Sequence, residues 1–169
     1  MIIWKTGDLF TSTAQVLVNT VNCEGVMGKG IALEFKNKYP NMFHDYQYWC
    51  KHLKPKGGSI MWWQETEKTE IPQATFSFWD PKPKVKIGKT ILCFATKESW
   101  RNKSHIEWIE LGLQNFVEDI DIVKKYFKSI SVAFPKLGCN NGGLDWETQV
   151  KPLMIKYLEP LDITIEIYE

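Results

Sequence analysis

The sequence predicts an α/β sandwich: a central, largely parallel sheet covered by helices. Three observations carry this. Short runs rich in β-branched residues alternate with longer stretches whose apolar residues recur three or four apart, the mark of strands interleaved with helices. One run, TILCFA at Thr90–Ala95, is apolar throughout, as a strand buried on both faces must be. Polar or glycine-rich breaks follow several strand runs, where open α/β sheets present their ligand sites.

Met1–Thr6 reads as the first strand. Gly7-Asp8 follows, where Asp8 either caps the next turn or receives hydrogen bonds from a ligand amine. Val16–Thr20 is the second strand. The chain then turns polar at Asn19, Thr20 and Asn22 and breaks at Gly25, Gly28 and Gly30. Ile31, Phe35 and Tyr39, four apart, mark a helix. A strand, glycine-rich loop and helix in this order can bring backbone N–H groups to a phosphate, with the helix N-terminus adding partial positive charge. Without a ligand the same loop is a tight turn. It matches neither G-x-G-x-x-G nor a loop ending in G-K-S or G-K-T.

Pro40-Asn41 starts a second helix, with Phe43, Tyr46, Trp49 and Leu53 toward the core. Lys54–Gly58 is a turn and Ser59–Gln64 a strand. Glu65–Lys89 is the least regular stretch. Within it Thr75–Trp79 reads as a short strand. Asp80–Lys89, with Lys82, Lys84, Lys86 and Lys89 among prolines, reads as an exposed loop or edge that is either simply solvated or meets DNA phosphate. After Thr90–Ala95 and the polar segment Thr96–Arg101, Ser104 and Glu107 spell a capping box. A long helix follows, with Ile106, Ile109, Leu113, Phe116, Val117 and Ile120 as its apolar positions. Ser129–Phe134 is a strand and runs into Pro135–Gly143. Asp145 opens the last helix, with Val150, Leu153, Met154 and Tyr157, and Ile163–Tyr168 closes the chain as a strand.

The 169 residues suit one domain, 1–169, and no repeat or linker divides them. A hydrophobic content of 44% with 14% aromatics excludes disorder. The net charge of +1 supplies no global pull toward nucleic acid, so any DNA contact must be a local patch. No apolar run approaches a bilayer span, and MIIWKTGD is not a signal peptide. Cys23, Cys50, Cys93 and Cys139 form no C-x-x-C pair and read as free thiols in a reducing compartment. The expectation is a cytoplasmic monomer without membrane contact. His44 and His52 are eight apart and His105 stands alone, so neither a metal nor a cofactor is expected.

Four unusual loops fall at strand ends: after Thr6, Thr20, Ala95 and Phe134. Two are glycine-rich, one carries Asp8 and one carries Lys97. Together they describe a cleft with two anion-cradling walls, an acid and an amine.

The segments KTGDLF, VNTVNCEGVMGKGIALEFK, FATKESWRNKSHIEWIE and FPKLGCNNGGLDW resemble those of a macrodomain, the ADP-ribose-binding fold, over essentially the whole chain. More narrowly, the chain is similar to the DarG-type DNA ADP-ribosyl glycohydrolases, antitoxins of bacterial toxin–antitoxin pairs. The resemblance implies a three-layer α/β/α macrodomain with a central mixed, largely parallel sheet. It implies that Asp8, followed by Leu9, bonds the adenine amino group. It places Asn22, Gly25, Val26, Met27 and Gly28 along the distal ribose and phosphates. Leu137, Gly138, Cys139, Asn140, Asn141, Gly142 and Gly143 would close over the diphosphate, and Lys97 would be the catalytic residue. One departure stands out. Related lysine-dependent macrodomains that act on protein esters carry an acid within the second glycine loop, which here reads GCNNGGLDW. Its nearest carboxylate, Asp145, reads as a helix N-cap.

The implied substrate is ADP-ribose on a thymidine or guanosine base of single-stranded DNA, and the implied partner is a DNA ADP-ribosyltransferase toxin. Cleaving the bond from C1″ to a base nitrogen develops cationic character at C1″. Unprotonated, Lys97 could attack C1″ or the opened sugar aldehyde, giving a Schiff base that water resolves. Protonated, it could hold or protonate the leaving base. Nearby Arg101 and Lys103 would favour the neutral amine, and Glu98 would oppose it. Trp100 and Arg101 are the candidate contacts to DNA or its base, and Trp100 either stacks on the modified base or packs under its own loop. Asn22 either orients ribose hydroxyls or braces its loop in an Asx turn. Cys23 and Cys139 read as small packing residues, since neither has a base beside it. The alternatives are an ADP-ribose-binding module without turnover and a glycohydrolase acting on ADP-ribosylated protein.

Overall fold

Among the described residues the alternation read from the sequence resolves into six strands: β1 (Ile2–Lys5), β2 (Val16–Val21), β3 (Ile60–Thr66), β4 (Ile87–Ala95), β5 (Ser131–Pro135) and β6 (Thr164–Tyr168). The computed structural model describes residues 1–66, 87–127 and 129–169. The strands form one sheet in the order β1-β6-β5-β2-β4-β3. Every pairing is parallel except β3 with β4, which is antiparallel. The parallel strands therefore all end on the same side, and the loops after β1, β2, β4 and β5 meet there.

Side chains alternate across this sheet into two cores. Leu17, Val21, Ile91 and Cys93 face a layer made by α1 (Gly30–Lys38) and α2 (Pro40–Leu53). Val16, Val18, Leu92 and Phe94 face α3 (Ile106–Val123) and α4 (Lys151–Leu158). The central strands are apolar on both faces because both faces are covered. Ile109, Leu113, Phe116 and Ile120 form the buried stripe of α3. Gly112 lies in the same stripe because a Cβ there would run into the Phe94 ring.

The structure corrects several expectations. Leu53 is 70% exposed, and Met42 and Cys50 turn inward with Tyr46 and Trp49 instead. Phe43 and Val117 are only half-buried. The capping box does not form: α3 starts one residue later, with His105 at its N-cap and no side-chain cap bond. Ser104 is occupied otherwise, since its N–H donates to the Gly142 carbonyl at 2.9 Å. Its hydroxyl is buried without a partner. Ile87–Lys89 belongs to β4 and is not part of an exposed loop, and the Lys89 ammonium donates to the Ser12 and Ala14 carbonyls. The short strand expected at Thr75–Trp79, and the lysines at 82, 84 and 86, lie outside the described residues.

Asp145 is the cap it was read to be. Its Oδ1 accepts from the Thr148 N–H at 2.7 Å and the Thr148 hydroxyl at 2.6 Å, opening a turn at Trp146–Val150 that continues into α4. Among the described residues no helix is long and apolar enough to cross a membrane.

Candidate functional site

The converging loops enclose a cleft of about 700 Å³. That volume suits a ligand of nucleotide-diphosphate size. One wall is the loop after β2. Asn22 organises it: Nδ2 donates to the Val26 carbonyl at 2.7 Å, and Oδ1 accepts from the Glu24 N–H at 2.9 Å. The Tyr46 hydroxyl, reaching up from α2, lies 2.8 Å from the Asn22 carbonyl and 2.9 Å from its Oδ1. The bracing role is therefore the one the structure shows, and it leaves a single Asn22 amide hydrogen free. Gly30, with φ +60°, brings the start of α1 close to the opposite wall: a Cβ there would lie 3.0 Å from Asn141 Nδ2.

The opposite wall is the loop after β5. A Cβ on Gly142 would fall well inside contact distance of the Gly138 carbonyl and Ser104 Oγ, so only glycine fits. The backbone N–H groups of Asn140, Asn141 and Gly142 donate to nothing within the chain among the described residues. With the free first-turn amides of α1, they make both walls suited to an anion.

Lys97 stands between the walls, two residues beyond β4, and its ammonium donates to the Asn141 carbonyl. Burial, and then the nearby Lys29 ammonium, hold its pKa below the usual lysine value. The expected influence of Arg101 and Lys103 is not what does this. The Arg101 guanidinium stacks 4.3 Å from the Trp100 ring centroid, and the Lys103 stem lies along Gly143. The Glu98 carboxylate accepts from the Gly57 N–H at 3.2 Å. The Lys97 loop is tied to the first wall, since the Cys23 N–H donates to the Glu98 carbonyl at 3.0 Å and its thiol to the Lys97 carbonyl at 3.3 Å. Burial pushes the Cys23 thiol up to about 12 and the Cys139 thiol up to about 11. Both stay protonated at neutral pH and pack.

Of the residues singled out from the sequence, Asn22, Val26, Gly28, Lys97, Trp100 and Gly138–Gly142 line the cleft. Asp8 sits at the end of β1, where its carboxylate caps a 3₁₀ turn by accepting from the Phe10 N–H at 2.8 Å. The side chains of Leu9, Met27 and Leu137 are in the two cores. Gly25 backs onto Gln47 and Cys50 of α2. Gly143 and Arg101 are not part of the cleft wall. Sequence reasoning missed Lys29 and Lys136, which do line it. Lys29 carried a readable signal, a cation between two glycines at a helix start; Tyr46 carried none. Among the described residues no cluster of potential ligands could hold a metal.

A mixed sheet between two helical layers, with two glycine loops around a dinucleotide-sized cleft, defines the class: this is a macrodomain. The macrodomain of Mycobacterium tuberculosis DarG superposes with a TM-score of 0.78 at 36% identity, covering 99% of this chain and 97% of that one. Thermosipho africanus DarTG in complex with ADP-ribose gives 0.79 at 35% identity, covering 99% of this chain and 41% of that one. The chain belongs to the DarG macrodomain family. Among curated proteins, the DNA ADP-ribosyl glycohydrolase of Mycobacterium tuberculosis is 38% identical over 168 residues, 99% of this chain and 42% of that protein. The chain thus spans about two fifths of the length of the curated relatives it matches. No protein-family model matches it.

Proposed function

We propose that the protein is a DNA ADP-ribosyl glycohydrolase that removes ADP-ribose from a base of single-stranded DNA and so reverses a DNA ADP-ribosyltransferase toxin. The observation that carries this is Lys97: an amine with a lowered pKa, bonded to the second wall and facing the first across the cleft. A module that only bound ADP-ribose would have no use for it.

In this reading Asp8 and the adjoining Leu9 backbone meet the adenine. The free amides of the second loop and of the α1 N-terminus take the diphosphate, and C1″ lies beside Lys97. The neutral amine acts as the nucleophile, and burial and the Lys29 charge shift its pKa in the direction that this role needs. Its nitrogen bonds to C1″ as the C1″–base bond breaks, and the base leaves with the electron pair and takes up a proton. Ring opening gives a Schiff base. Water adds to it, and ADP-ribose departs with the amine restored. Trp100 stacks on the base during this sequence, with the Arg101 guanidinium behind it. The protein acts as a monomer in the cytoplasm, with the toxin as its functional partner.

Incubating an ADP-ribosylated single-stranded oligonucleotide with the protein and with Lys97→Ala tests the reading. The expected result is release by the wild type and a loss of about a hundredfold or more in the variant. No release from either would leave a binding module, and equal release from both would remove Lys97 from the chemistry. ADP-ribosylated protein, offered in parallel, is expected to be a poor substrate; preference for it would move the reading to a protein-directed glycohydrolase.

A further inference from the structure

Glu24 takes no part in the chemistry above, yet it reaches the tip of the loop that carries Lys97. It projects from the first glycine loop. One of its carboxylate oxygens accepts from Ser99 Oγ at 3.1 Å and from the Trp100 backbone N–H at 3.3 Å. Ser99 Oγ accepts in turn from the Arg101 N–H at 3.3 Å, and the Asn102 N–H closes the turn on the Ser99 carbonyl at 3.2 Å. The base of this loop is tied without Glu24: Cys23 N–H to the Glu98 carbonyl and Thr96 N–H to the Val21 carbonyl, each at 3.0 Å, and the Cys23 thiol to the Lys97 carbonyl at 3.3 Å. Among the described residues, Glu24 is the side chain from outside the tip that bonds it. What the tip presents is Trp100, half exposed at the rim of the cleft.

We propose that Glu24 is a positioning residue: its carboxylate latches the Ser99–Trp100 turn so that the indole stands where the base joined to C1″ must stack. The proposal rests on reading the cleft as a site for ADP-ribosylated DNA. A stack depends on the orientation of the ring, and an untethered turn would have to be ordered at the moment of binding. The sign of the effect separates this from a passive charge. A carboxylate that merely sat at the rim would repel the DNA phosphates, so deleting it would tighten binding. A latch predicts the opposite. The backbone ties at the loop base survive the deletion, so the fold does too.

The test is steady-state release of ADP-ribose from a modified single-stranded oligonucleotide by wild type, Glu24→Ala, Glu24→Gln, Trp100→Ala and the Glu24→Ala/Trp100→Ala double variant. Glu24→Ala should raise KM about fivefold or more, the low end of what one base–aromatic stack is worth. A stack made equally in the ground and transition states leaves kcat within about twofold. Glu24→Gln, which keeps an oxygen in place, should behave as wild type, and Glu24→Ala should add nothing to Trp100→Ala. Free ADP-ribose, which has no base beyond C1″, should bind Glu24→Ala and wild type equally. A fall in KM, or effects that multiply in the double variant, would overturn the latch. Amide exchange at the Trp100 N–H reports on it without turnover: it should quicken about tenfold in Glu24→Ala and not in Glu24→Gln. If the wild type releases no ADP-ribose, the functional reading fails by itself. The exchange rate then decides the latch alone, and an unchanged rate sinks it.

Discussion

The two walls of the cleft are both glycine-rich, yet they hold their shapes for different reasons. The first is tied by side chains, Asn22 bonding Glu24 and Val26 and Tyr46 bonding Asn22 from below. Its Gly28 has room to spare, since a Cβ there would meet only Val26 Cγ1, at 3.8 Å. The second is held by close approach of backbone to backbone, with Gly142 pressed against the Gly138 carbonyl and the Ser104 hydroxyl. A loop of the first kind fails when a hydrogen-bonding side chain is lost. One of the second kind fails when a methyl group is added.

The sharpest way to break this comparison is a pair of alanines. Gly142→Ala should cost about 1–3 kcal/mol by overpacking and weaken ADP-ribose binding about tenfold. Gly28→Ala should stay within about 0.5 kcal/mol of wild type. Denaturant unfolding and calorimetry would check both, and equal losses would erase the distinction. Next in size is Asn22→Ala, which takes the partner from the Glu24 N–H and from the Val26 carbonyl and should cost about 1–3 kcal/mol. Tyr46→Phe removes donor and hydroxyl together and should cost about 1 kcal/mol.

A smaller effect probes the space between the walls. Lys29 comes from the first wall and disfavours the charged form of Lys97. Activity should rise with pH as the amine loses its proton, with the midpoint of the limb below the usual lysine value. Lys29→Ala removes a repelling charge, so the Lys97 pKa rises and the limb moves to higher pH. A limb that stays put, or moves down, would remove Lys29 from the account. The smallest expected effect concerns the thiols. With Cys23 at about 12 and Cys139 at about 11, iodoacetamide at neutral pH should leave activity within about twofold. Rapid inactivation would show a reactive thiol in one wall.

Much of the fold was legible because periodicity is local. The continuous apolar run at Thr90–Ala95 could be placed as a central strand without knowing its neighbours. The stripe from Ile109 to Ile120 could be placed as one buried helix face. The misreadings share a cause. Ser104 looks like a cap until the second loop claims its N–H, and Leu53 looks like core until α2 ends at the surface. In each case the placement of the element in the fold, which its own pattern does not carry, changed the outcome.

By itself the sequence determined the order of the described strands and helices, the two glycine loops, the Asp145 cap and the place of Lys97 beyond a buried strand. All of these follow from the pattern of neighbouring residues, which a chain carries wherever it goes. Only the tertiary structure decided that Gly142 cannot be replaced, that Asn22 is spent on its own loop, and that Lys29 is the cation acting on Lys97. Steric exclusion, hydrogen bonding and the tuning of a pKa act over a few ångströms, and folding alone settles which distant segments come that close.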